Sequence, residues 1–468
     1  MSRILLINPH NPIVTLTSHG KIFNLNKYRI WKPLSLMTIA NKTNPNWDVE
    51  IVDENLGEVD YEKGLKPVIV GITAFTSQAV RAYQLAKYFK GKGCHTVIGG
   101  IHASMCLDEA LEYFDTVITG EGELEWPRFL DDFKSSNVKR VYEGGLVPVE
   151  QISSARHDLL YGKYYCGAIQ TTRGCPLRCT FCSVTSFNGG KFRHRPINHV
   201  IADLRNVREK VILFVDDNLV GVHQTHIDHT KQLLKEMIRN KLTTPWFCQA
   251  TINFADDDEL LELARKSGCV GVFIGFESPT IEGLEAIHKK FNVRGNRDFR
   301  DSVRKIQKHG IIATGSFIMG IDTDKKGIGK IISETSEEYG LDVVNVLMST
   351  PLPGTALYDQ MDSEKRIIAK NYPSDWQYYT LSHPVAEYKN FTWEELVNEM
   401  SEFHNNFYSY QKILKRVFWT FILNWRNPYK VLVTLIANVT YLYNHMLDRR
   451  VYEERTYDNR QQQNLHTN

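Results

Sequence analysis

The sequence predicts an α/β protein with two successive parallel sheets and a helical C-terminal region. Short apolar runs alternate with helical segments before residue 150, and again between about residues 166 and 360, as in chains of β/α units. From Pro373 onward the pattern changes to aromatic-rich segments with helical spacing. We therefore expect three regions in the 468 residues, which are 1–150, 151–360 and 361–468.

The N-terminal region is predicted to form a flavodoxin-like or Rossmann-like domain. The ligand of such a sheet binds beyond the carboxyl ends of its strands. Gly99 and Gly100 lie at one of these ends, where absent side chains let the backbone approach a flat ligand or a phosphate. A tight turn explains the two glycines about as well. The predicted strands are Ile4–Asn8, Val49–Val52, Val68–Thr73, Thr96–Ile98 and Thr116–Thr119.

The second region contains six predicted β/α units, which are too few to close an eight-stranded barrel. We expect an open, partial (β/α)6 barrel whose ligands bind at the carboxyl ends of the strands. Polar residues accumulate at those ends. The predicted strands are Ala168–Thr172, Val211–Val215, Phe247–Thr251, Val270–Phe276, Ile311–Met319 and Val343–Met348.

Composition is that of a folded protein in a reducing compartment, and we expect a cytoplasmic location. The formal net charge of +2 gives no reason to expect a nucleic-acid partner. Eight cysteines in a chain of this length are too sparse for a disulfide scaffold. The apolar run near the N-terminus is too brief for a signal peptide and predicts a buried strand.

Cys175, Cys179 and Cys182 are spaced CxxxCxxC, which predicts an iron–sulfur site. Thiolates are the usual ligands of such clusters, and three of them bind three irons of a cubic four-iron cluster. The fourth iron then remains open for a small chelating molecule. A zinc site and simple buried cysteines are the alternatives. Structural zinc usually has a second paired arm, which this sequence lacks, and buried cysteines need no such spacing.

This motif, with Phe181 before its third cysteine, resembles that of radical S-adenosylmethionine (SAM) enzymes. The resemblance implies a 4Fe-4S cluster held by the three cysteines, with SAM bound to the open iron. It also implies an electron donor such as flavodoxin or ferredoxin. One electron from the cluster would cleave SAM to a 5′-deoxyadenosyl radical, which abstracts hydrogen from an unactivated carbon of the substrate.

The strand ends of the second region resemble the SAM-contacting positions of that family. Asp216, Asp217 and Asn218 follow the second strand, where such groups meet the methionine ammonium, although helix capping is an alternative for at least one acid. Gln249 or Asn253 is expected to face the ligand after the third strand. The full set that the resemblance assigns to SAM is Phe181, Asp216, Asp217, Asn218, Gln249, Glu277 as a ribose acceptor, and Ser316 beside adenine.

A flavodoxin-like domain placed directly before such a core resembles the cobalamin-binding subgroup of the family, which includes the hopanoid C-2 methylases. The resemblance implies that Gly99 and Gly100 lie against cobalamin. The DxHxxG loop that supplies a histidine to cobalt is absent here. Many members of the subgroup also lack it, which implies cobalamin with no histidine beneath the metal. His10 and His102 remain either cobalt ligands or ordinary hydrogen-bonded histidines, and a relic domain without cobalamin is a further alternative.

Three functions are compatible with this reading. The first is a cobalamin-dependent methyltransferase that acts on an unactivated carbon of a hydrophobic, lipid-like or isoprenoid-like small molecule. The second keeps the radical SAM core but performs rearrangement, coupling or cyclisation. The third is a cluster-binding or cobalamin-binding sensor without turnover. Acidic and polar residues at several strand ends favour an enzyme, since a sensor needs no SAM site.

The C-terminal region carries two strongly apolar helical segments, Ile413–Trp425 and Val431–Tyr443, separated by Arg426-Asn427-Pro428. Each has 13 residues, whereas roughly 20 are needed to span a bilayer. Lysine and arginine flank both segments, and aromatic residues lie near their ends. This composition predicts a helical hairpin in a membrane interface over residues 413–443, or one that packs on the barrel. The polar tail after Arg450 is predicted to be disordered.

Overall fold

The N-terminal sheet contains six parallel strands in a computed structural model that describes residues 2–11, 13, 32–63, 66–162, 164–293, 297–425 and 428–466. All five predicted strands are present. A sixth, short edge strand was not predicted, because its three residues contribute a single buried side chain, Tyr142. The elements are β1 Ser2–Asn8, α1 Leu34–Asn41, β2 Trp47–Asp53, β3 Ile69–Thr73, α2 Ala79–Gly91, β4 His95–Gly99, α3 Ile101–Met105, α4 Leu107–Tyr113, β5 Thr116–Thr119, α5 Glu125–Lys134 and β6 Val141–Glu143.

The strand order of this sheet is β2-β1-β3-β4-β5-β6. The chain therefore runs outward in one direction to β2 and in the other direction from β3 to β6, which is the arrangement of a flavodoxin-like sheet with one added strand. In-register pairing aligns the strand ends: Asn8 pairs with Asp53, and Thr73 pairs with Gly99. The predicted glycine pair thus lies on the carboxyl edge of the sheet.

The second sheet contains the six predicted strands, all parallel, in consecutive order, and an antiparallel two-stranded ribbon precedes its second strand. The six-stranded sheet remains open, as expected from the number of β/α units. The elements are β7 Cys166–Ile169, β8 Thr172–Arg173, α6 Val184–Asn188, β9 Arg193–His194, α7 Ile197–Leu204, β10 Val211–Phe214, α8 Gln224–Arg239, β11 Trp246–Ala250, α9 Asp258–Ser267, β12 Cys269–Glu277, α10 Ile281–Ala286, α11 Lys290–Val293, α12 Phe299–Lys308, β13 Ile312–Met319, α13 Ile328–Tyr339, β14 Val343–Met348 and α14 Ala356–Ser363.

Alternate residues of these strands differ in exposure, and this alternation defines the two faces of the sheet. In β11, Trp246, Cys248 and Ala250 are buried in the core formed with the surrounding helices. Phe247 and Gln249, between them, are only half-buried. Since successive side chains of a strand point to opposite faces, the half-buried set lies on the other, concave face. That face is therefore the accessible interior of the partial barrel.

The C-terminal region is helical, as predicted, and consists of α15 Trp393–Phe407, α16 Tyr410–Asn424 and α17 Pro428–His466. Arg426 and Asn427, at the predicted break, lie outside the described residues. In the structure α17 continues past Arg450 to His466, and disorder of the tail in solution stays a prediction. Among the described helices, none combines the length and the apolar character needed to cross a bilayer.

Candidate functional site

The cysteine motif lies in a loop that is closed at its base by the ribbon of β8 and β9. Backbone hydrogen bonds fix the loop at three further points. The amide of Cys175 donates to the Gly189 carbonyl at 3.3 Å, and the amide of Thr180 donates to the Ile287 carbonyl at 3.2 Å. The Thr180 carbonyl in turn accepts from the amide of Leu357 at 2.9 Å. The loop is therefore held in place by segments that follow β12 and β14.

Gly174, immediately before the first cysteine, has a φ of +83°. A Cβ at this position would come within 2.4 Å of the Lys191 carbonyl oxygen, which belongs to the backbone and has little freedom to move. Only glycine satisfies both the left-handed backbone and the close approach. This residue therefore sets the direction in which the cysteine loop leaves β8.

The three thiols of the loop are half-buried. Burial raises the pKa of Cys179 to about 11 and that of Cys182 to about 12, and it raises the pKa of Cys175 as well. The nearby ammonium of Lys289 acts in the opposite direction on Cys175 and Cys179. Without a bound cation these side chains are thus neutral thiols, and iron would supply the positive charge that keeps them as thiolates.

In the part of the chain that the structure describes, no three His, Cys, Asp or Glu side chains are close enough to share one metal ion. Three cysteines on one loop are the donor set of a cubic four-iron cluster, in which each cysteine would bind a different iron. The donor set of three cysteines on a fixed loop therefore agrees with the predicted cluster and its open fourth iron.

Lys289 is a residue of this site that the sequence did not indicate. Its ammonium bonds to Oε1 of Glu277 at 2.9 Å, and both residues are buried. Burial alone would lower the pKa of Lys289, but Glu277 and Cys179 together raise it. Gly275 leaves the space for this pair, because a Cβ there would lie 2.1 Å from Oε1 of Glu277. The predicted ribose acceptor thus already has one oxygen bonded to a buried cation, and its contact with SAM stays a prediction.

The three polar residues after β10 have different surroundings. Asp216 is fully buried, and its Oδ1 accepts bonds from the backbone amides and hydroxyls of Thr171 and Thr172, next to the cysteine loop. Asn218 is also buried and bonds to Thr251 at the end of β11. These two residues fix neighbouring strand ends to one another. Neither acid caps a helix, because the N-cap of α8 is His223.

Asp217 differs from its neighbours because it is only half-buried and interacts electrostatically with Cys175 and Cys182. Burial, followed by the adjacent carboxyl of Asp216, raises the pKa of Asp217 to about 6. At neutral pH it is still mostly ionised. Of the three residues, Asp217 is therefore the least buried and the one near the cysteines, and its contact with SAM stays a prediction.

The concave face carries the remaining predicted SAM residues. Gln249 is half-buried and its side chain has no hydrogen bond within the described residues, whereas Asn253 is buried and bonded to Gly221 and Thr251. Gln249 is thus the better candidate of the two. Ser316 lies in register with Gly275 on one side and with Asn345 on the other. Their SAM contacts stay predictions.

Two further polar residues of the concave face, Thr314 and Asn345, were not predicted as site residues. Thr314 pairs in register with Phe273, and Asn345 with Ser316, so the register sets them on the concave face. Strict period-two counting along each strand is the signal that would have found them. Phe181 packs at the rim of this face against three isoleucines, which are Ile287, Ile318 and Ile321.

The carboxyl edges of the two sheets face each other. Arg173, beside the cysteine loop, forms ion pairs with Glu123 and with Glu121, the latter at 3.0 Å. Arg193 of β9 also pairs with Glu121. Both glutamates follow β5 of the first sheet. Met105, at the end of α3, lies against Gly354 after β14, and this is a second contact between the two carboxyl edges.

The carboxyl edge of the first sheet at Gly99 and Gly100, called the glycine edge below, fits a flat, partly apolar ligand. Gly100 has a φ of +91°, and a Cβ there would lie 2.7 Å from Oγ1 of Thr73, so the turn itself requires this glycine. At Gly99 a Cβ would make only an ordinary contact with the Ile118 carbonyl oxygen at 3.4 Å. The turn therefore does not require glycine at position 99. Phe75 and Leu146, near the same edge, are 65% and 50% exposed, so apolar side chains are accessible there.

Each candidate histidine has a hydrogen-bond partner at one ring nitrogen. Nδ1 of His10 lies 3.0 Å from a carboxylate oxygen of Glu54. His102 is fully buried, with Nε2 at 2.8 Å from the hydroxyl of Tyr83. Both are the ordinary hydrogen-bonded histidines of the alternative interpretation. The structure thus favours hydrogen-bonded histidines, and cobalamin bound without a histidine beneath the metal stays a prediction.

Comparison with known proteins agrees with this geometry. The sequence profile of the Radical SAM superfamily matches residues 169–335. The chain is 28% identical to bacteriochlorophyllide d C-12(1)-methyltransferase of Chlorobaculum tepidum over 428 residues, which cover 88% of this chain and 89% of that protein. It is 25% identical to hopanoid C-2 methylase of Rhodopseudomonas palustris over 354 residues, 72% of this chain and 65% of that protein.

Among solved structures, the chain is similar to the radical S-adenosylmethionine methyltransferase TsrM from Kitasatospora setae, determined with cobalamin and a 4Fe-4S cluster bound. The TM-score is 0.61 at 18% identity, and the match covers 78% of each chain. This likeness shows the fold. It confirms the predicted class, in which a flavodoxin-like domain precedes a partial radical SAM barrel and C-terminal helices.

Proposed function

This chain belongs to the cobalamin-binding branch of the radical SAM superfamily, and we propose that it methylates an unactivated carbon of a hydrophobic, lipid-like or isoprenoid-like small molecule. One observation carries the proposal. The cysteine loop and the glycine edge both lie at the carboxyl ends of parallel strands, and the ion pairs of Arg173 and Arg193 with Glu121 join these two edges. A second cofactor in the first domain would therefore lie opposite the cluster, as methyl transfer between two cofactors and one substrate requires.

The residues of the chain bind and orient these groups. When bound, the cluster would supply an electron to SAM and cobalamin would carry a methyl group. In this proposal Asp217 accepts hydrogen bonds from the methionine ammonium of SAM, and Gln249 and Ser316 bond to the rest of SAM. Reduced flavodoxin or ferredoxin is the proposed electron donor.

Two observations support a hydrophobic substrate. The concave face presents half-buried apolar side chains, Phe247, Phe273 and Leu347, between its polar groups. The two relatives named above act, by their names, on a bacteriochlorophyllide and on hopanoids. Apolar walls with a few polar groups are typical of sites that bury such ligands.

The proposal is tested by anaerobic reconstitution with iron, sulfide and cobalamin, followed by incubation with methyl-labelled SAM, dithionite and an apolar extract of the source cells. We expect 5′-deoxyadenosine, S-adenosylhomocysteine and label in the apolar fraction. Absence of 5′-deoxyadenosine would contradict any radical SAM activity. If 5′-deoxyadenosine forms and the extract is altered without label or S-adenosylhomocysteine, the chemistry is rearrangement, coupling or cyclisation instead.

We further propose that the hairpin of α16 and α17 lies in a membrane interface. Its outer face exposes a continuous series of large apolar side chains, far more than single scattered residues on an ordinary surface. Aromatic residues near the ends of such helices are typical of interfacial segments. Those between one-third and four-fifths exposed include Tyr410, Leu414, Phe418, Trp419, Phe421, Ile422, Leu423, Trp425, Leu432, Val439 and Met446.

The hairpin packs on the barrel at the end opposite the cysteine loop. Nδ2 of Asn438 donates to the carbonyl of Asp342 at 3.0 Å, and the Thr420 hydroxyl lies 3.4 Å from the Asp342 carboxylate. Asp342 directly precedes β14, so this contact is at the amino end of the strand. The predicted packing on the barrel is therefore present on one face of the hairpin, and membrane contact of the other face is part of the proposal.

Replacing three apolar residues of one exposed helix face, L414S, F418S and F421S together, is expected to release the protein from vesicles. About 0.8 kcal/mol is lost for each methylene that no longer enters the interface, which makes the combined effect larger than tenfold in vesicle affinity. Flotation with phosphatidylcholine vesicles measures it. The matched control is I331S, an exposed residue of α13. Unchanged flotation of the triple variant would contradict membrane contact.

A further inference from the structure

A cavity of about 400 Å³ lies between the amino end of the barrel and the tip of the helical hairpin. Its walls come from the residues around the starts of β12 and β13 and from the ends of α16 and α17. It is separate from the cofactor site, which lies at the carboxyl ends of the strands. The lining residues include Arg265, Lys308, His309, Asn424, Trp425, Tyr429 and Lys430.

The polar lining of this cavity is basic. Three cationic side chains contribute to it, and no aspartate or glutamate does so in the described part of the chain. Arg265 is partly neutralised, because it pairs with Glu262 on the surface at 2.7 Å. Lys308 is exposed and has no ion pair among the described residues. The cavity therefore carries uncompensated positive charge.

Lys430 is the most informative of these residues. It is 93% buried, and no carboxylate pairs with it in the described structure. Its Nζ would lie 3.2 Å from a Cβ at Gly310, and the Asn424 amide oxygen would lie 2.7 Å from the same point. Burial lowers the pKa of Lys430, with a smaller opposing effect from Cys269. A buried ammonium without a counter-ion is costly, and an anion in the cavity would offset that cost.

The mouth of the cavity is continuous with the exposed apolar face of the hairpin. Leu423, Trp425 and Tyr429 line the cavity and are 48%, 63% and 38% exposed. We propose that this cavity binds the phosphate head group of an anionic phospholipid, with Lys430 and Lys308 as its cationic contacts and the hairpin inserted beside it. The proposal rests on the proposed membrane contact of the hairpin, and it adds the class of lipid, an anionic phospholipid, that the protein binds there. The head group is thereby held at the amino end of the barrel, so the membrane lies on the side opposite the cofactors.

The experiment compares flotation with phosphatidylcholine vesicles and with vesicles in which phosphatidylglycerol replaces a third of the lipid. Wild-type protein is expected to bind the anionic vesicles more tightly. K430Q and K308Q are each expected to lower affinity for the anionic vesicles at least about fivefold and to leave affinity for neutral vesicles unchanged. The matched control is K305Q, an exposed lysine of the same helix as Lys308 that does not line the cavity.

Each outcome has a definite meaning. If the wild type floats with neither vesicle, both the membrane contact and the lipid site are refuted. If it floats equally with both, or if K305Q has the same effect as K308Q, the specific site is refuted and the hairpin contact stands. Calorimetry with glycerol 1-phosphate tests the alternative ligand. If glycerol 1-phosphate binds as tightly as the anionic vesicles do, the cavity is a site for free phosphate compounds and the lipid site is refuted. K308Q keeps the test valid if K430Q unfolds. Both variants are expected to leave methyl transfer unchanged, because the two lysines lie at the amino end of the barrel, away from the cofactor site.

Discussion

Replacing Cys179 with alanine is expected to abolish both the visible absorbance of the reconstituted cluster and the cleavage of SAM. In the proposed cluster each cysteine of the loop binds a different iron, so the loss of one would leave that iron without its protein ligand. No other cysteine replaces it, because the loop is fixed by the Gly174 turn and by the bonds of Thr180 to neighbouring segments. Absorbance spectra, iron content and the yield of 5′-deoxyadenosine measure the effect.

The control for this experiment is Cys166→Ala. Cys166 is half-buried like the three loop cysteines but lies at the start of β7, at the opposite end of that strand. Its replacement is expected to leave iron content and SAM cleavage unchanged. If C179A still cleaves SAM, the assignment of the cysteine loop to the cluster is refuted. If C166A loses the cluster as well, general destabilisation explains both results.

The parts of the fold that follow from local sequence were predictable. Period-two alternation and short apolar runs identified eleven strands of the two sheets, because a buried parallel strand needs little beyond its own residues. The edge strand around Tyr142 was missed, because it is held mainly by pairing with β5. The cysteine loop was also recognisable, since its three cysteines are close in sequence, and their role as cluster ligands stays a prediction.

The parts of the site that depend on distant pairing were not predictable. The contact of Lys289 with Glu277 depends on the fold of the segment after β12, and nothing in the local sequence marks this lysine. The three adjacent residues Asp216, Asp217 and Asn218 look equivalent in sequence. The structure distinguishes them. Asp216 is hydrogen-bonded to the segment after β7, and Asn218 is hydrogen-bonded to the segment after β11. Which of several polar residues faces a ligand is decided by its neighbours in space.

The ion pairs around Glu121 couple the two domains, and removing their shared charge is expected to have the largest effect on stability. Glu121 bonds to Arg173, Arg193 and the amide of Val147, and its side chain is 2% exposed. Glu121→Gln leaves the half-buried guanidinium of Arg193 without its carboxylate partner and the buried guanidinium of Arg173 with Glu123 alone. Breaking such a pair costs about 3–5 kcal/mol in the free energy of unfolding, which urea titration at neutral pH measures. The control, Glu262→Gln, breaks an exposed pair and is expected to cost less than about 1 kcal/mol.

The pH dependence of this loss has a defined sign. Burial opposes ionisation of Glu121, but the two arginines and the Val147 amide lower its pKa below the usual value. The stabilisation is therefore complete above the unfolded-state pKa of about 4.3 and disappears as the pH falls through the lower folded-state pKa. The difference in unfolding free energy between wild type and Glu121→Gln should accordingly be constant from pH 7 to about 5 and shrink in stronger acid. A difference that grows on acidification would contradict this account.

A double-mutant cycle separates the coupling from the general cost of each change. Arg193→Met alone removes the partner on β9, and it is expected to be destabilising because Glu121 then keeps only Arg173. In the double variant the loss should be smaller than the sum of the two single losses, by about 1–3 kcal/mol. Simple additivity would mean that the two residues act independently. In that case other contacts hold the glycine edge and the cysteine loop together. The contact of Met105 with Gly354 is the next one to test.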